Sequence, residues 1–372
     1  MRIGLIARRF DPAGGGTERD LIVTARILAD AGHEVAIFAA EIRGEFAGLR
    51  VIPIATPGVG RTLKLISFAT RAADMVRRDG ADIVLSFARI LDADILRSGG
   101  SAHASYVAAA RQWQSGAAAL AMALSPYHRA QMMIERRGFA SARLRRTIAV
   151  SDLVRKDLLA TFGLTPAEIV TLYNGVDLLR FVPESRESLR YATRRDLSLS
   201  DQTPLIAFAG NGFARKGLRF LIEAWPAIDS TAHLVVAGTD RALRKYRKMA
   251  EGLRLGDRIH FLGAQTQIER IFAAADGFVM PSLFEPFGNV VMEAMAAGLP
   301  VLCSKACGAA ELLDPAMREL VIDDPTDLGA LAAGLNHLLR VKDDLRSIAR
   351  ATAEKFTWDA YGANLLKLIA DL

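Results

Sequence analysis

The chain is poor in cysteine: its 372 residues include two, Cys303 and Cys307. Two cysteines cannot form a framework of several disulfides, and such a composition is typical of proteins from a reducing compartment. Neither has a histidine or a second cysteine pair close by in the sequence. We therefore interpret both as small core or loop residues and predict no metal site there.

Long hydrophobic runs are also missing. The chain has no stretch of about 18 apolar residues, as a membrane-spanning helix requires, and the apolar run after Met1 is too short for a signal peptide. A hydrophobic content of 51% with 24% charged residues is typical of a globular protein. We therefore expect a cytoplasmic protein whose first residues form a buried strand.

Acidic residues are fewer than basic ones. The chain has 41 Asp and Glu and 47 Lys and Arg, which gives a formal net charge of +6. A basic protein favours anionic partners, and nucleic acid, phosphorylated sugars and an anionic membrane all qualify. A chain of this length is too long for one ordinary core, so two domains are expected.

Strand-like and helix-like segments alternate along both halves of the chain, which predicts α/β domains with parallel sheets. In the first half, the predicted strands are 2–7, 34–39, 51–54, 83–87 and 147–150, with helices at 17–31 and 61–78. In the second half, the predicted strands are 205–209, 234–237, 259–262, 277–280, 301–303 and 320–322. Thr17 is the predicted N-cap of the first helix.

The predicted domain organisation follows from this pattern. We predict an N-terminal Rossmann-like domain over 1–175, a C-terminal Rossmann-like domain over 176–355 and a terminal helix over 356–372. The polar run Pro183–Gln202 is interpreted as the inter-domain connection, and two helices are predicted near 327–339 and 343–355. Ligands of such sheets bind outside the carboxyl ends of the strands, so we expect a cleft between the domains.

The segment from Glu285 to Glu293 carries two carboxylates eight residues apart. Pro286 restricts Glu285 to extended or turn geometry, and the residues after it have helical composition, which puts Glu285 in a loop and Glu293 on a helix. The first amides of that helix form a predicted anion site. These amides belong to Gly288, Asn289 and Val290. A ligand with hydroxyl groups and phosphates is indicated; the simpler alternative is that Glu293 points to solvent.

Two glycine-rich loops each follow the predicted first strand of a domain. The first contains Gly15 and Gly16, and glycines let a backbone approach a ligand closely. The second contains Gly212, followed by Arg215 and Lys216. An arginine can bind a phosphate through two hydrogen bonds, while a lysine supplies a point charge. A solvated basic turn is the alternative interpretation of the second loop.

Taken together, these segments resemble the retaining GT-B glycosyltransferases of family 4. The likeness is carried by the Glu-x7-Glu spacing of Glu285 and Glu293, by the following segment 297–301, by 213–217 and by the glycine-rich start through Asp20. It covers most of the chain. It implies two Rossmann-like domains that face a deep cleft, with a C-terminal helix that crosses back to the N-terminal, acceptor-binding domain.

The resemblance also implies roles for individual residues. Glu285 would contact the donor sugar and Glu293 the ribose, while Arg215 and Lys216 would neutralise the leaving diphosphate, so that neither a metal ion nor another cofactor is expected. Further nucleotide-sugar contacts are implied for Gly15, Gly16, Gly212, Phe287, Gly288, Asn289 and Val290. His103 is a candidate catalytic residue, because family members often place a His or Asp in this region; a lone loop histidine is more often structural.

The segment from 104 to 146 is helical in composition and strongly basic. Its one acid is Glu135, and its seven arginines are Arg111, Arg129, Arg136, Arg137, Arg143, Arg145 and Arg146. Aromatic and apolar residues lie between these charges, which suits an anionic membrane surface. Equally, the apolar positions could pack on the first domain and leave the arginines solvated. No nucleic-acid-binding motif accompanies the charge, so nucleic acid is not an expected partner.

The predicted function is transfer of a sugar from a nucleotide-diphosphate sugar, UDP-glucose or a similar donor, to a membrane-associated glycan. Within the family, the chain resembles enzymes that add glucose to the lipopolysaccharide core, so the expected location is the inner face of the cell membrane. Two alternatives stay open: another GT-B enzyme such as a sugar-nucleotide epimerase, and a non-catalytic protein that binds nucleotide sugars or membranes.

Overall fold

The computed structural model describes residues 1–44, 48–181 and 186–372, and the chain divides into two units. The first unit comprises Met1–Asn174 together with Trp358–Leu372, and the second comprises Gly175–Thr357. The first boundary, after Asn174, lies one residue before the predicted one. The second boundary, after Thr357, lies two residues after the predicted one.

A parallel seven-stranded sheet runs through the first unit in the order β3-β2-β1-β4-β5-β6-β7. Its strands are β1 (Arg2–Phe10), β2 (Glu34–Ile42), β3 (Arg50–Pro53), β4 (Ile83–Ser86), β5 (Ile95–Ser98), β6 (Arg146–Ala149) and β7 (Ile169–Thr171). The five strands predicted in this half are confirmed. The sequence prediction missed β5 and β7, because the second half of β5 is the polar pair Arg97-Ser98 and β7 has three residues, so neither forms a clear apolar run.

The described part of the first unit has six α-helices before the chain enters the second unit: α1 (Gly16–Asp30), α2 (Gly60–Arg78), α3 (His103–Ala109), α4 (Gly116–Leu124), α5 (Pro126–Phe139) and α6 (Asp152–Phe162). The prediction of Thr17 as an N-cap is wrong, because α1 begins at Gly16 and its N-cap is Gly15, without a side-chain cap. A tight turn causes the shift: the N–H of Gly14 donates to the oxygen of Asp11, so the chain becomes helical sooner.

The second unit repeats the arrangement with a parallel six-stranded sheet in the order β10-β9-β8-β11-β12-β13. Its strands are β8 (Leu205–Ala209), β9 (His233–Ala237), β10 (Ile259–Gly263), β11 (Gly277–Met280), β12 (Val301–Ser304) and β13 (Val321–Ile322). All six were predicted to within one residue at each end. Its helices are α7 (Arg186–Asp196), α8 (Leu218–Ala224), α9 (Leu243–Gly252), α10 (Ile268–Ala274), α11 (Asn289–Ala296) and α12 (Leu328–Glu354).

Two predictions for this unit are wrong. The run 183–202 is not a plain connection, because α7 occupies much of it and packs on α10 within the second unit; Pro183 itself lies outside the described residues. The two helices predicted after residue 326 are one, α12, which is 27 residues long. Its middle has neither Gly nor Pro to interrupt it, and Asp327 caps its start by accepting from the N–H of Ala330.

The sequence of α7 is polar like that of a linker, but its arginines bind a buried carboxylate. Asp276, 3% exposed, accepts hydrogen bonds from the guanidinium groups of Arg190, Arg194 and Arg346 and from the N–H of Leu205 at the start of β8. Burial lowers the pKa of Arg194, and the charge of Asp276 offsets part of that effect. A polar sequence therefore folds inward here because its cations share one buried partner.

The last helix, α13 (Trp358–Ala370), belongs to the first unit and packs on α1. Its buried Tyr361 shares a hydrogen bond of 3.0 Å with Thr24 of α1, and its Gly362 lies against Ile27. Across the described part of the chain, no helix is both long enough and apolar enough to span a bilayer.

Candidate active site

The second sheet reverses its strand order at β8, because β9 and β10 lie on one side of β8 and β11 to β13 lie on the other. The segments that leave β8 and β11 at their carboxyl ends therefore start next to each other and then diverge. In open parallel sheets this position is where ligands bind. The two segments concerned are 210–217 after β8 and 281–288 after β11, which are the two segments that the sequence singled out.

One carboxylate from the second segment lies against two cations from the first. Lys216 Nζ is 2.5 Å and Arg215 Nη1 is 3.0 Å from the same oxygen, Glu285 Oε2. Burial raises the pKa of Glu285, but the charges and hydrogen bonds of Lys216 and Arg215 outweigh burial and hold that pKa below its ordinary value. The carboxylate is therefore ionised at neutral pH, and the cluster of three carries one net positive charge.

The backbone around this cluster allows the close approach. Gly217 has φ +76°, and a Cβ at this position would lie 1.9 Å from the oxygen of Pro281. The N–H of Glu285 donates to the oxygen of Ala306, and its oxygen accepts from the N–H of Gly308, each at 2.9 Å. Hydrogen bonds therefore hold both the backbone N–H and the backbone carbonyl of Glu285. They restrict the backbone that carries its carboxylate toward the two cations.

Cys307 contacts this loop, and Cys303 contacts Cys307. They are buried and unbridged, and Cys307 Sγ donates to the oxygen of Phe287 at 3.2 Å. A hydrogen bond between the two thiols, together with burial, raises the pKa of Cys303. In the described part of the chain, no three His, Cys, Asp or Glu side chains are grouped to bind a metal ion.

The helix that follows the loop begins close to the cluster. Gly288 is its N-cap with φ +95°, and the amides of Asn289 and Val290 open its first turn. Such amides carry partial positive charge that favours an anion. Glu293 is the fifth residue of α11 and is half-buried, so it does not project freely into solvent. Cations, amide donors and a fixed carboxylate together suit a ligand that has both phosphate and hydroxyl groups.

The first sheet reverses its order between β1 and β4, and a cavity of about 390 Å³ lies at their carboxyl ends. Its lining includes Arg8 and Arg9 of β1, Arg89 after β4 and Arg97 of β5. The sequence analysis missed these four arginines. The sequence offers one signal of an anion-binding site here, which is the pair Arg8-Arg9 shortly before a glycine-rich loop.

Arg97 is the deepest of these arginines, at 4% exposed. Its Nη2 donates to Asp20 at 3.0 Å and to Asn174 at 2.5 Å, and Asn174 Nδ2 donates to Asp20 at 2.9 Å. Asp20 of α1 is therefore a buried ion-pair partner. Long-range pairs of this kind leave no trace in local sequence.

His103 begins α3 and is buried. Its Nε2 shares a hydrogen bond of 2.8 Å with His128 Nδ1, and its backbone N–H donates to Glu135 Oε2 at 2.7 Å. Burial lowers the pKa of His103 to about 4, and the charges of Arg89 and His128 add to the effect. The imidazole is therefore neutral at physiological pH and is engaged by the protein itself.

This pKa leads to a pH-dependent stability. The unfolded chain binds the His103 proton at about pH 6.5, whereas the folded chain binds it at about pH 4. The free energy of unfolding should therefore fall as the pH is lowered through this window, and this contribution should not change further below it. Urea unfolding at several pH values measures the slope.

The matched test of that slope compares two variants. His103→Gln should lose part of the slope between pH 6.5 and 4, whereas His337→Gln, on the surface of the second unit, should keep it. An equal slope in His103→Gln and the parent protein would show that His103 is not held neutral.

The basic segment contains one helix that packs on the first unit and one apolar helix that is largely exposed. Ala130 and Ile134 of α5 are buried against Leu65 and Ala69 of α2, so α5 packs on the first unit. On α4, by contrast, Leu120 and Leu124 are 60% and 63% exposed, although α4 has no charged residue. Arginines flank this apolar helix and are exposed: Arg111, Arg129, Arg136 and Arg137.

The structure thus brings together some of the predicted site residues. Within the second unit it joins Arg215, Lys216 and Glu285 directly, close to Phe287 and the start of α11, which follows the N-cap Gly288. Gly212 lies in the segment after β8 with φ +76°. Within the first unit, Gly15 and Gly16 form the start of α1, while His103 lies at the start of α3.

The fold and the cluster define a class, the two-domain GT-B transferases. Two family models match the chain and together cover most of it: "Glycosyltransferase Family 4" over residues 14–180 and "Glycosyl transferases group 1" over residues 190–356. The chain belongs to the family 4 glycosyltransferases of GT-B fold, and it is a transferase.

Curated relatives agree with this assignment. The lipopolysaccharide glucosyltransferase WaaG of Escherichia coli is 26% identical over 319 residues, which cover 84% of this chain and 82% of WaaG. An uncharacterized glycosyltransferase of Methanocaldococcus jannaschii is 27% identical over 220 residues, 57% of this chain. The match spans only 56% of the length of that second relative.

Solved structures show the same fold. The crystal structure of WaaG, described as involved in lipopolysaccharide biosynthesis, superposes with a TM-score of 0.82 at 23% identity and covers 99% of both chains. HepE from Anabaena, in complex with UDP and glucose, gives a TM-score of 0.72 at 20% identity over the full length of both chains. At these identities, the likeness concerns the fold.

Proposed function

We propose that this glycosyltransferase moves a sugar, with retention of its configuration, from a nucleotide-diphosphate sugar to a membrane-associated glycan such as the lipopolysaccharide core. UDP-glucose or a similar compound is the proposed donor. The observation that carries the proposal is the cluster of Arg215, Lys216 and Glu285 beside the start of α11. The likeness to WaaG and to HepE supports the choice of acceptor and of donor.

Each part of the cluster has a place in the reaction. In the transfer, the acceptor oxygen forms a bond to the anomeric carbon, the bond from that carbon to the diphosphate breaks, and a diphosphate oxygen accepts the acceptor proton. Negative charge therefore grows on the leaving diphosphate, where Arg215 and Lys216 stabilise it. Glu285 orients both cations and accepts hydrogen bonds from sugar hydroxyls, while Glu293 holds the ribose.

A transfer assay tests this function. UDP- and GDP-sugars are first screened for thermal stabilisation, since a ligand at about 100 times its dissociation constant should stabilise by ~2.7 kcal/mol. The stabilising donor is then incubated with lipopolysaccharide-core acceptors, and the product is analysed for its anomeric configuration. Conversion of the donor without acceptor would identify an epimerase instead, and donor binding without any product would identify a binding protein.

Metal independence is part of the proposal, because Arg215 and Lys216 would neutralise the diphosphate in place of a metal ion. We expect EDTA at millimolar concentration to leave the transfer rate unchanged, and added Mg²⁺ not to raise it. Transfer rates with and without chelator measure this directly, and loss of activity that Mg²⁺ or Mn²⁺ restores would contradict it.

The location at the membrane rests on the first unit. We propose that α4 enters the interface of an anionic membrane with Leu120 and Leu124, while the arginines around it bind lipid headgroups. The protein would then lie peripherally on the inner face of the cell membrane, where a lipid-linked acceptor is presented.

Charge reversal tests the docking. Arg136→Glu combined with Arg137→Glu should weaken binding to vesicles of phosphatidylglycerol and phosphatidylcholine on the order of 100-fold, because each basic residue near the surface contributes about 1 kcal/mol. Vesicle co-sedimentation at low salt gives the measurement. Arg244→Glu with Lys248→Glu makes the same change of charge on exposed α9 and should have less effect. Equal weakening by both pairs would contradict the assigned surface.

A further inference from the structure

We propose that the cavity of the first unit binds an anionic group of the acceptor, a sugar phosphate or a sugar carboxylate, and that Arg8 is the residue that recognises it. This inference rests on the proposed function, since it assigns the acceptor to the cavity at the carboxyl ends of β1 and β4. Its evidence is the charge and the hydrogen bonding of the residues that line that cavity.

The cavity has an excess of positive charge. Four arginines line it, whereas its acids are Glu18 and Glu135. Both acids already have partners: Glu18 lies 2.5 Å from Arg9, and Glu135 lies 2.7 Å from Arg89. The charge that remains in the lining is therefore cationic.

Arg97 does not account for this excess, because its charge is paired with that of Asp20. Its Nη2 is 3.0 Å from Asp20, and its guanidinium lies over the ring of Phe87. Arg8 is different. It packs its guanidinium 5.6 Å from the ring centre of Phe68, and no acidic side chain of the described segments forms an ion pair with it.

Two donors in the cavity wall are unsatisfied. Arg8 Nη1 and Arg97 Nε are both shielded from solvent, and neither has a hydrogen-bond partner within residues 1–44, 48–181 and 186–372. A buried donor without a partner is costly, and such groups in native proteins usually have a function. Arg97 is 4% exposed, so solvent does not supply the missing hydrogen-bond partner of its Nε.

Size and shape agree with a sugar that carries one anionic group. A volume of about 390 Å³ is within the range of small-molecule sites. The rest of the lining suits the apolar and hydroxyl faces of a sugar, because it includes Phe87, Gln131 and the glycine turn Gly99-Gly100. Arginine binds phosphate and carboxylate through paired hydrogen bonds, which makes Arg8 the specific contact for either group.

Binding of small anionic sugars tests the inference. Mannose 6-phosphate, glucuronate and neutral mannose are titrated into the full chain and followed by protein-observed NMR. The variants are Arg8→Gln, Arg8→Lys and, as a matched control, Arg71→Gln, which removes an exposed arginine of α2 outside the cavity. Binding of UDP to each variant reports whether the second unit is folded and whether the proposed function itself stands.

The expected result is that the parent protein and Arg71→Gln bind at least one anionic sugar about 10-fold or more tightly than mannose. Arg8→Gln should lose that preference, a weakening of about 10- to 100-fold, and Arg8→Lys should recover part of it. The better of the two anionic sugars shows whether phosphate or carboxylate is recognised.

Equal binding of all three sugars, or equal binding by Arg8→Gln and Arg71→Gln, would overturn the inference while UDP binding leaves the proposed function intact. Failure of the parent protein to bind any nucleotide or nucleotide sugar would instead remove the proposed function on which the inference rests.

Discussion

Glu285→Gln is expected to abolish sugar transfer, with a loss of rate of at least about 100-fold, the size seen when a single group that stabilises a transition state electrostatically is removed. The substitution keeps the shape of the side chain but removes its charge. Lys216 and Arg215 would then lose the negative charge of the acceptor that both share, and the donor sugar would lose a fixed carboxylate. Initial rates of transfer from the donor identified by screening provide the measurement.

A matched control separates chemistry from folding. Glu269 is a glutamate of the same unit whose carboxylate binds Arg180 at 2.8 Å and whose side chain is 24% exposed. Glu269→Gln removes a comparable ion pair away from the cluster and should retain most of the activity. Equal activity of Glu285→Gln and the parent protein would mean that the cluster does not hold the donor.

Asp276→Ala is expected to lower the free energy of unfolding by about 3–5 kcal/mol, because it removes a buried carboxylate that compensates the charge of the buried Arg194. Arg194, 1% exposed, would keep its charge in the interior without its partner, and the N–H of Leu205 would lose its acceptor. Urea unfolding followed by circular dichroism measures the change. The effect should appear in stability and not in the affinity of the folded protein for UDP.

A surface aspartate of the same unit provides the comparison. Asp196, at the end of α7, pairs with Arg270, and its side chain is 53% exposed. Asp196→Ala should cost less than about 1 kcal/mol, as surface ion pairs do. If the two aspartate variants had the same stability, the buried cluster would contribute no more than a surface pair.

Much of the fold could be predicted from the sequence because its strands are continuous apolar runs. β8 and β11 are fully buried runs of five and four residues, and both of their ends were predicted correctly. β7 was missed because it has three residues, one of them exposed. The break predicted within α12 was wrong because polar residues in its middle face solvent without interrupting the helix.

Some residues of the candidate site could be identified from the sequence and others could not. Glu285, Arg215 and Lys216 were accessible to sequence analysis because each lies in a short segment with its own glycine or proline signal. The arginines of the first unit were not, because their partners are distant: Arg97 and Asp20 are 77 residues apart, as are Arg97 and Asn174. No local pattern marks an interaction over that separation.

Calorimetric titration of UDP is the most direct test of the claim that the cluster binds a nucleotide diphosphate. The parent protein is expected to bind UDP, and the double variant Arg215→Gln with Lys216→Gln is expected to bind it at least about 100-fold more weakly, since two charge-assisted hydrogen bonds are lost. Arg247→Gln with Lys248→Gln, two exposed cations of α9, should bind UDP as the parent does. Unchanged UDP affinity in the Arg215 and Lys216 double variant would contradict the account.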